Sequence, residues 1–84
     1  METDTVLTLI REFTVRRCEE RSLPIPDVGE ETVLLGETVG LDSLDVATLI
    51  FELQQATGCD PFADGFIEFM NAGELARLFG VGVQ

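Results

Sequence analysis

The sequence predicts an all-α fold, a four-helix bundle in which the third helix is short. Apolar residues recur at helical spacing over residues 3–21, 42–57 and 71–79, and a further apolar stretch at 62–69 is long enough for a short helix. Prolines and glycines separate these stretches. A chain of 84 residues is expected to form one domain, 1–84, with a thin core, because a domain this small buries roughly 60% of its unfolded surface.

The first helix is predicted over residues 3–21. Its apolar residues form a stripe along one side: Val6, Leu9, Ile10 and Phe13. Four of the chain's five arginines belong to this helix: Arg11, Arg16, Arg17 and Arg21. Because glutamates are interleaved with these arginines, we expect a solvated face with local ion pairs rather than a phosphate-binding site.

A long loop over residues 22–41 follows the first helix. Two prolines end the helix and keep the next residues extended. A structureless loop of this length is unusual in a compact domain. We therefore expect it to fold back and to place Leu34 or Leu35, together with Val39, in the bundle. A strand over residues 33–35 is the alternative, although nothing obvious pairs with it.

The second helix is predicted over residues 42–57, and its core face consists of Val46, Leu49, Ile50 and Leu53. Asp42 is a good N-cap residue, worth about 1 kcal/mol, because its carboxylate can accept hydrogen bonds from the first turn. Asp45 adds favourable charge and can complete a capping box. Ser43 is then the first helical residue, where the helix dipole favours a phosphate on its hydroxyl. The alternative interpretation is that Ser43 is an ordinary helix-start residue.

Leu44, Thr48 and Phe51 fall on another side of the second helix. Exposed Leu44 and Phe51 beside Asp45 would make a small apolar patch rimmed by acid. Such a patch suits a transient docking surface. The pattern alone leaves open whether Phe51 is a core residue instead.

The C-terminal third contains the shorter elements. Gly58 is expected to end the second helix. Residues 62–69 are expected to form a short helix, with an irregular turn as the alternative, and Gly65 interrupts them. Asn71 is the predicted N-cap of the last helix, and residues 80–84 are expected to be a frayed tail. The chain has six phenylalanines, which we expect to fill the core rather than to form a ligand box.

The net charge of −11 excludes some classes of partner. Nucleic acid and anionic membranes are poor partners, because binding them relies on basic side chains. A basic protein partner fits, since opposite charge speeds encounter. Residues 1–22 contain five acids and four arginines, a net charge of −1, whereas residues 23–84 contain eleven acids and one arginine, a net charge of −10.

The chemistry-bearing residue types are few. Histidine, tyrosine, tryptophan and lysine are absent from the sequence, and no metal-ligand spacing is present. Cys18 and Cys59 are too few for a disulfide framework. With no signal peptide and no long apolar run, the chain is expected to be cytoplasmic and soluble, with free thiols and no membrane insertion.

The setting of Ser43 carries a resemblance to a known family. Residues 40–45 read Gly-Leu-Asp-Ser-Leu-Asp, follow a loop that contains Leu34 and Leu35, and open an amphipathic helix. Residues 71–75 read Asn-Ala-Gly-Glu-Leu. In these features the chain from Thr32 to Phe79 resembles the acyl carrier protein family, including its peptidyl and aminoacyl carrier relatives. The N-terminal third matches only in pattern.

The resemblance implies a four-helix bundle of acyl-carrier type in which Ser43 carries 4′-phosphopantetheine. A phosphopantetheinyl transferase, which holds its own Mg²⁺, moves this arm from coenzyme A. The arm's thiol then carries substrate as a thioester, so the chain is not an enzyme and Ser43 is an attachment point. The family's second helix meets partner enzymes, and the implied docking residues are Asp42, Leu44, Asp45 and Phe51. The expected partners are loading and processing enzymes with basic docking surfaces, and the chain is expected to be a monomer. A cavity among the phenylalanines is the place where an acyl chain would enter, and the sequence leaves open whether it does so.

The cargo is expected to belong to a specialised pathway. Residues 40–45 resemble acyl carriers more than peptidyl carriers, which usually have a second glycine before Asp-Ser. Thr48, Gln54 and Gln55 stand where fatty-acid carriers are typically acidic. A polyketide, nonribosomal peptide or modified-lipid pathway therefore fits better, and the starting methionine favours a free-standing protein.

The competing class is a non-catalytic helical interaction module in which Ser43 only starts a helix. Such a module should not accept phosphopantetheine. In a carrier, Asp42→Asn or Asp45→Asn is expected to weaken recognition by the transferase and to leave the fold almost intact.

Overall fold

Three α-helices form the framework of the computed structural model, which describes residues 2–35, 39–63, 65 and 67–80. They are α1 (Thr3–Glu20), α2 (Ser43–Thr57) and α3 (Ala72–Gly80). Within the described part of the chain no strand forms, and residues Leu35 and Leu41 make one isolated parallel bridge. The predicted all-α class is therefore confirmed.

Helix α1 ends in a Schellman motif. The N–H of Leu23 donates to the carbonyl of Cys18 at 2.8 Å, and the N–H of Ser22 donates to that of Glu19 at 3.2 Å. Ser22 has a left-handed φ of 56°, the conformation that this motif requires at the position after the cap. Glycine is the usual residue there, so the sequence offered only the following prolines as a stop signal.

The core combines all three helices with the loop before α2. Its buried apolar residues are Val6, Leu7, Ile10, Phe13, Val28, Leu34, Val39, Leu41, Val46, Leu49, Leu53, Ala72, Leu75, Ala76 and Phe79. Helix α1 packs mainly against α3. Leu34 is 1% exposed and Val39 is buried, whereas Leu35 is 48% exposed, so Leu34 is the loop leucine that enters the bundle.

Hydrogen bonds to α3 hold the described part of the long loop around residues 30–32. The first N–H groups of a helix have no partner within the helix. Here the loop supplies the acceptors. The carbonyl of Thr32 accepts from Ala72 N–H at 2.9 Å, and the carbonyl of Glu30 accepts from Gly73 N–H at 2.8 Å. Asn71 Oδ1 accepts from Glu74 N–H at 2.9 Å, which confirms Asn71 as the N-cap.

The short helix predicted over 62–69 is not found in the described residues of that segment. Residues 61–63 form a turn, and residues 67–70 have no regular structure. Gly65 has a φ of 134°, which an α-helix cannot use. The structure thus supports the all-helical class and does not confirm a four-helix bundle.

The phenylalanines have three different environments. Phe13 and Phe79 are buried, as predicted for core residues. Phe62 packs against the core with its ring centroid 6.3 Å from that of Phe69 and 6.2 Å from that of Phe79. Phe51 is exposed. The remaining phenylalanine, Phe66, lies outside the described residues, as do residues 81–84 of the predicted tail.

Among the described residues, no helix is both long enough and apolar enough to cross a membrane.

Candidate functional site

The start of α2 is held by a capping box, as the sequence predicts. Asp42 has extended backbone, and its Oδ1 accepts from Asp45 N–H at 2.9 Å. In return, Asp45 Oδ2 accepts from Asp42 N–H at 3.1 Å. Each carboxylate satisfies one N–H group that the helix itself leaves without a partner. The backbone on both sides of Ser43 is therefore fixed.

Gly40 and Leu41 bring the chain into this cap. Gly40 has a φ of 79°, and a Cβ at this position would lie 3.1 Å from Leu23 Cδ1. Leu41 follows it into the core at 2% exposure. The left-handed turn and the buried anchor together direct the chain outward at Asp42.

Ser43 is the first residue of α2 and is exposed to solvent. In the part of the chain that the structure describes, its hydroxyl has no hydrogen-bond partner. It lies at the positive end of the helix dipole, where an attached phosphate is stabilised. The hydroxyl is therefore accessible and uncommitted, and its surroundings favour an anionic group.

Asp45 differs from Asp42 because it is 4% exposed. Its Oδ1 accepts from Arg21 Nη2 at 2.6 Å and its Oδ2 accepts from Arg21 Nη1 at 2.7 Å, a bidentate pair. Arg17 Nε lies 3.6 Å from Asp45 Oδ1. The hydrogen bonds from Arg21 lower the pKa of Asp45 to about 2, against the opposing effect of burial.

The ion pair between Arg21 and Asp45 is not predicted by the sequence. Arg21 was expected to take part in a solvated face with local ion pairs, and its neighbour Arg17 does make such a pair with Glu20 at 3.4 Å. The partner of Arg21 instead lies 24 residues away along the chain. Helix periodicity contains no signal for a contact between two elements at that separation.

The four predicted docking residues fall into two groups. Leu44 is 74% exposed and Phe51 is 59% exposed, so Phe51 is not a core residue. Asp42 is exposed as well. The carboxylate of Asp45, in contrast, is buried against Arg21. The structure thus leaves Asp42 exposed at the N-cap of α2, and Leu44 and Phe51 exposed on the helix itself.

A mainly apolar groove of about 530 Å³ adjoins Ser43. Helix α2 forms one wall, and the described residues before α2 and before α3 form the other. The lining residues are Leu35, Ser43, Val46, Ala47, Ile50, Glu68, Phe69 and Met70. Among the described residues, Phe69 is the one phenylalanine in this lining, and most of the others are aliphatic.

Among the described residues, neither metal-ligating groups nor thiols form a cluster that would supply alternative chemistry. No group of three or more His, Cys, Asp or Glu residues able to hold a metal ion occurs among the described residues. Both cysteines are free, as predicted. Cys18 is buried with its Sγ 3.5 Å from the carbonyl oxygen of Val39, and Cys59 is half-buried after α2.

Comparison with protein-family models gives one finding that bears on this site. Residues 5–79 match the model of the family described as phosphopantetheine attachment site. This range covers nearly the whole chain and includes all but the first two residues of α1, which the motif around Ser43 does not reach. No curated protein matches the chain. No solved structure matches it either.

Proposed function

The chain belongs to the phosphopantetheine attachment site family, and from this premise we propose that it is a carrier protein whose attachment residue is Ser43. Members of this family carry covalently attached 4′-phosphopantetheine, which is therefore the cofactor of this chain. The observation that supports Ser43 is its position as an exposed, unpaired serine at the capped N-terminus of α2.

The residues around Ser43 fit this group. A phosphate on Ser43 Oγ would lie at a helix N-terminus, where the backbone N–H groups and the dipole favour an anion. Asp42 points its carboxylate at the Asp45 N–H, so one negative charge is already partly compensated. The apolar groove beside Ser43 can accept an apolar portion of an arm or its cargo.

The chain itself supplies position rather than chemistry. When bound, the group provides a terminal thiol that holds an acyl or aminoacyl cargo as a thioester. Attachment forms a P–O bond at Ser43 Oγ and breaks the pyrophosphate bond of coenzyme A. No basic side chain approaches the hydroxyl within the described residues, so the transferase must take up the proton of Ser43.

Partner enzymes are proposed to dock on the exposed surface of α2. Asp42 offers a negative charge beside Ser43, and Leu44 and Phe51 offer apolar area. Such a combination suits brief contact with a basic surface that contains an apolar pocket. We leave Asp45 out of this surface, because Arg21 already neutralises its carboxylate.

The cargo is proposed to come from a specialised biosynthetic pathway, of polyketide, nonribosomal peptide or modified-lipid type. Thr48, Gln54 and Gln55 on α2 support this proposal. Fatty-acid carriers are typically acidic at these positions, whereas these three side chains are uncharged. The groove of about 530 Å³ has room for a small acyl chain.

Intact-mass measurement tests the attachment residue. The chain is incubated with coenzyme A, Mg²⁺ and a broad-specificity phosphopantetheinyl transferase. The chain has only two serines, Ser22 and Ser43, so Ser22→Ala is a matched control for Ser43→Ala. We expect one added phosphopantetheinyl group on the parent and on Ser22→Ala, and none on Ser43→Ala. A folded parent that stays unmodified with several transferases would instead favour the interaction module.

A further inference from the structure

The hydroxyl of Ser43 depends on its backbone for its position. No side chain among the described residues binds it, and the residue is exposed. The backbone before it is held by the hydrogen bond from Asp42 N–H to Asp45 Oδ2, together with those that Asp42 accepts from the N–H groups of Asp45 and Val46. Whatever fixes the Asp45 carboxylate therefore helps to fix the place where Ser43 presents its oxygen.

Arg21 fixes that carboxylate. It binds both oxygens at 2.6 and 2.7 Å, and Asp45 Oδ2 is the oxygen that it shares with Asp42 N–H. Arg21 is itself the C-cap residue of α1, and its N–H donates to the carbonyls of Arg17 and Cys18, both at 3.2 Å. A continuous chain of hydrogen bonds thus runs from the end of α1 through Arg21 and Asp45 to the residue before Ser43.

The other ion pairs between α1 and α2 donate no hydrogen bond to the capping box. Arg16 and Glu52 form an exposed ion pair at 3.2 Å, further along α2. Pairs of this kind contribute little to stability. Arg17 lies 3.6 Å from the same carboxylate, and this Nε has no hydrogen-bond partner. Arg21 is thus the residue of α1 that orients the capping box.

We propose that Arg21 is a positioning residue for the modification of Ser43, acting through Asp45 and Asp42. This inference rests on the proposed function. Arg21 contacts neither Ser43 nor a reacting group; it restricts the first turn of α2 so that Ser43 meets the transferase in one orientation. Small displacements of a reacting atom are costly, up to a hundredfold in rate for about 1 Å.

Steady-state kinetics of the transferase, with the apo chain as the varied substrate, test the proposal. Arg21→Gln is expected to lower kcat about tenfold and to leave KM within about twofold, because Leu44 and Phe51 stay in place. Arg16→Gln is the matched control, since it removes the same charge and also breaks an α1–α2 ion pair. Both of its kinetic constants are expected to stay within about twofold of the parent's.

This pattern separates positioning from a loss of folded protein. A partly unfolded variant offers less competent substrate, which raises the apparent KM and leaves kcat unchanged. Arg21→Lys keeps the charge but loses the bidentate geometry, so it should restore part of kcat. In an Asp45→Asn background, Arg21→Gln should have no further effect on kcat, because the two residues act in one chain of contacts.

The outcomes are distinguishable from a failure of the proposed function. If the parent is not modified, the carrier proposal fails and this inference fails with it. If the parent is modified and the kcat of Arg21→Gln equals that of the parent, only the positioning role of Arg21 is overturned. A rise in KM alone, or an equal fall in kcat for Arg16→Gln, would overturn it as well.

Discussion

The carboxylate of Asp45 has two structural roles. It completes the capping box of α2, and it forms the bidentate pair with Arg21 at the end of α1. The capping part was predictable, because Asp-Ser-Leu-Asp places both acids within one turn. The pairing was not, because Arg21 lies in another element. One residue thus contains both a local signal and a tertiary contact that the sequence does not reveal.

We predict that Asp45→Asn lowers the free energy of unfolding by roughly 2 kcal/mol near neutral pH, because the buried side chain loses the two charge-assisted hydrogen bonds that its carboxylate accepts from Arg21. This revises the expectation from sequence that the change leaves the fold almost intact. The difference should depend on pH. The pKa of Asp45 is about 2 in the folded chain and about 3.9 in an unfolded one. Its contribution is therefore complete above about pH 5 and is lost as the pH falls through about 2.

Urea denaturation of the parent and of Asp45→Asn at stepped pH measures this contribution. The gap between the two free energies should shrink from about pH 5 to about pH 2. Asp42→Asn is the control, because asparagine caps a helix as well as aspartate does, and its stability should stay close to the parent's. A gap that is constant over the whole range would contradict the assigned pKa.

At the scale of elements, the sequence predicts the starts of α2 and α3 and the end of α2, where Gly58 is the left-handed C-cap residue. The start of α1 has no side-chain cap. Asp42 and Asn71 are short polar residues directly before apolar stretches, and both are the observed N-caps. Helix α1 ends with Ser22 in a left-handed conformation, where the sequence shows no glycine. The short helix at 62–69 was expected from apolar content alone, which does not determine how a turn with a proline and a glycine folds.

The choice between Leu34 and Leu35 shows a similar limit. Both are apolar and adjacent in the sequence, so composition does not tell which one enters the core. The structure buries Leu34 and exposes Leu35 on the rim of the groove beside Ser43. The path of the loop, set by its hydrogen bonds to α3, makes that choice.

Helix α3 offers a test of that loop contact. A Cβ on Gly73 would lie 2.9 Å from both the Cβ and the carbonyl oxygen of Glu30. The loop backbone is the obstacle and cannot yield easily, so Gly73→Ala should lower the free energy of unfolding by about 1–3 kcal/mol. This would occur although alanine favours helix more than glycine does. Thermal and urea denaturation measure the change.

The matched control is Gly29→Ala in the same loop. A Cβ at Gly29 meets nothing within 4 Å, so this substitution should change stability by less than about 0.5 kcal/mol. Equal effects of the two substitutions, or a gain in stability for Gly73→Ala, would show that the close approach of the loop to α3 is not a constraint on the fold.

At the scale of the whole molecule, the uneven charge has a structural counterpart. Residues 23–84 have a net charge of −10, whereas residues 1–22 are nearly neutral. Arginines of α1 reach across to α2, where Arg21 pairs with Asp45 and Arg16 pairs with Glu52. Helix α1 therefore offsets part of the acid on α2, and the remaining acids repel one another.

We predict that sodium chloride raises the melting temperature, because it screens this repulsion over distances beyond about 10 Å. The short Arg21–Asp45 pair, in which the carboxylate is buried, is screened less. Potassium chloride should act equally, and Glu31→Gln, which removes one exposed acid, should reduce the increase. A melting temperature that is unchanged from low to moderate salt would contradict the account.

Ser43, at the start of α2, is the residue that we propose carries the phosphopantetheine group. The most direct measurement is proteolysis of the modified chain followed by fragment-ion mass spectrometry, which locates the added group on one residue. We expect the added group on Ser43 and no modification of the other serine, Ser22. A group found on Ser22 or on a threonine, or a folded chain that takes up none, would contradict it.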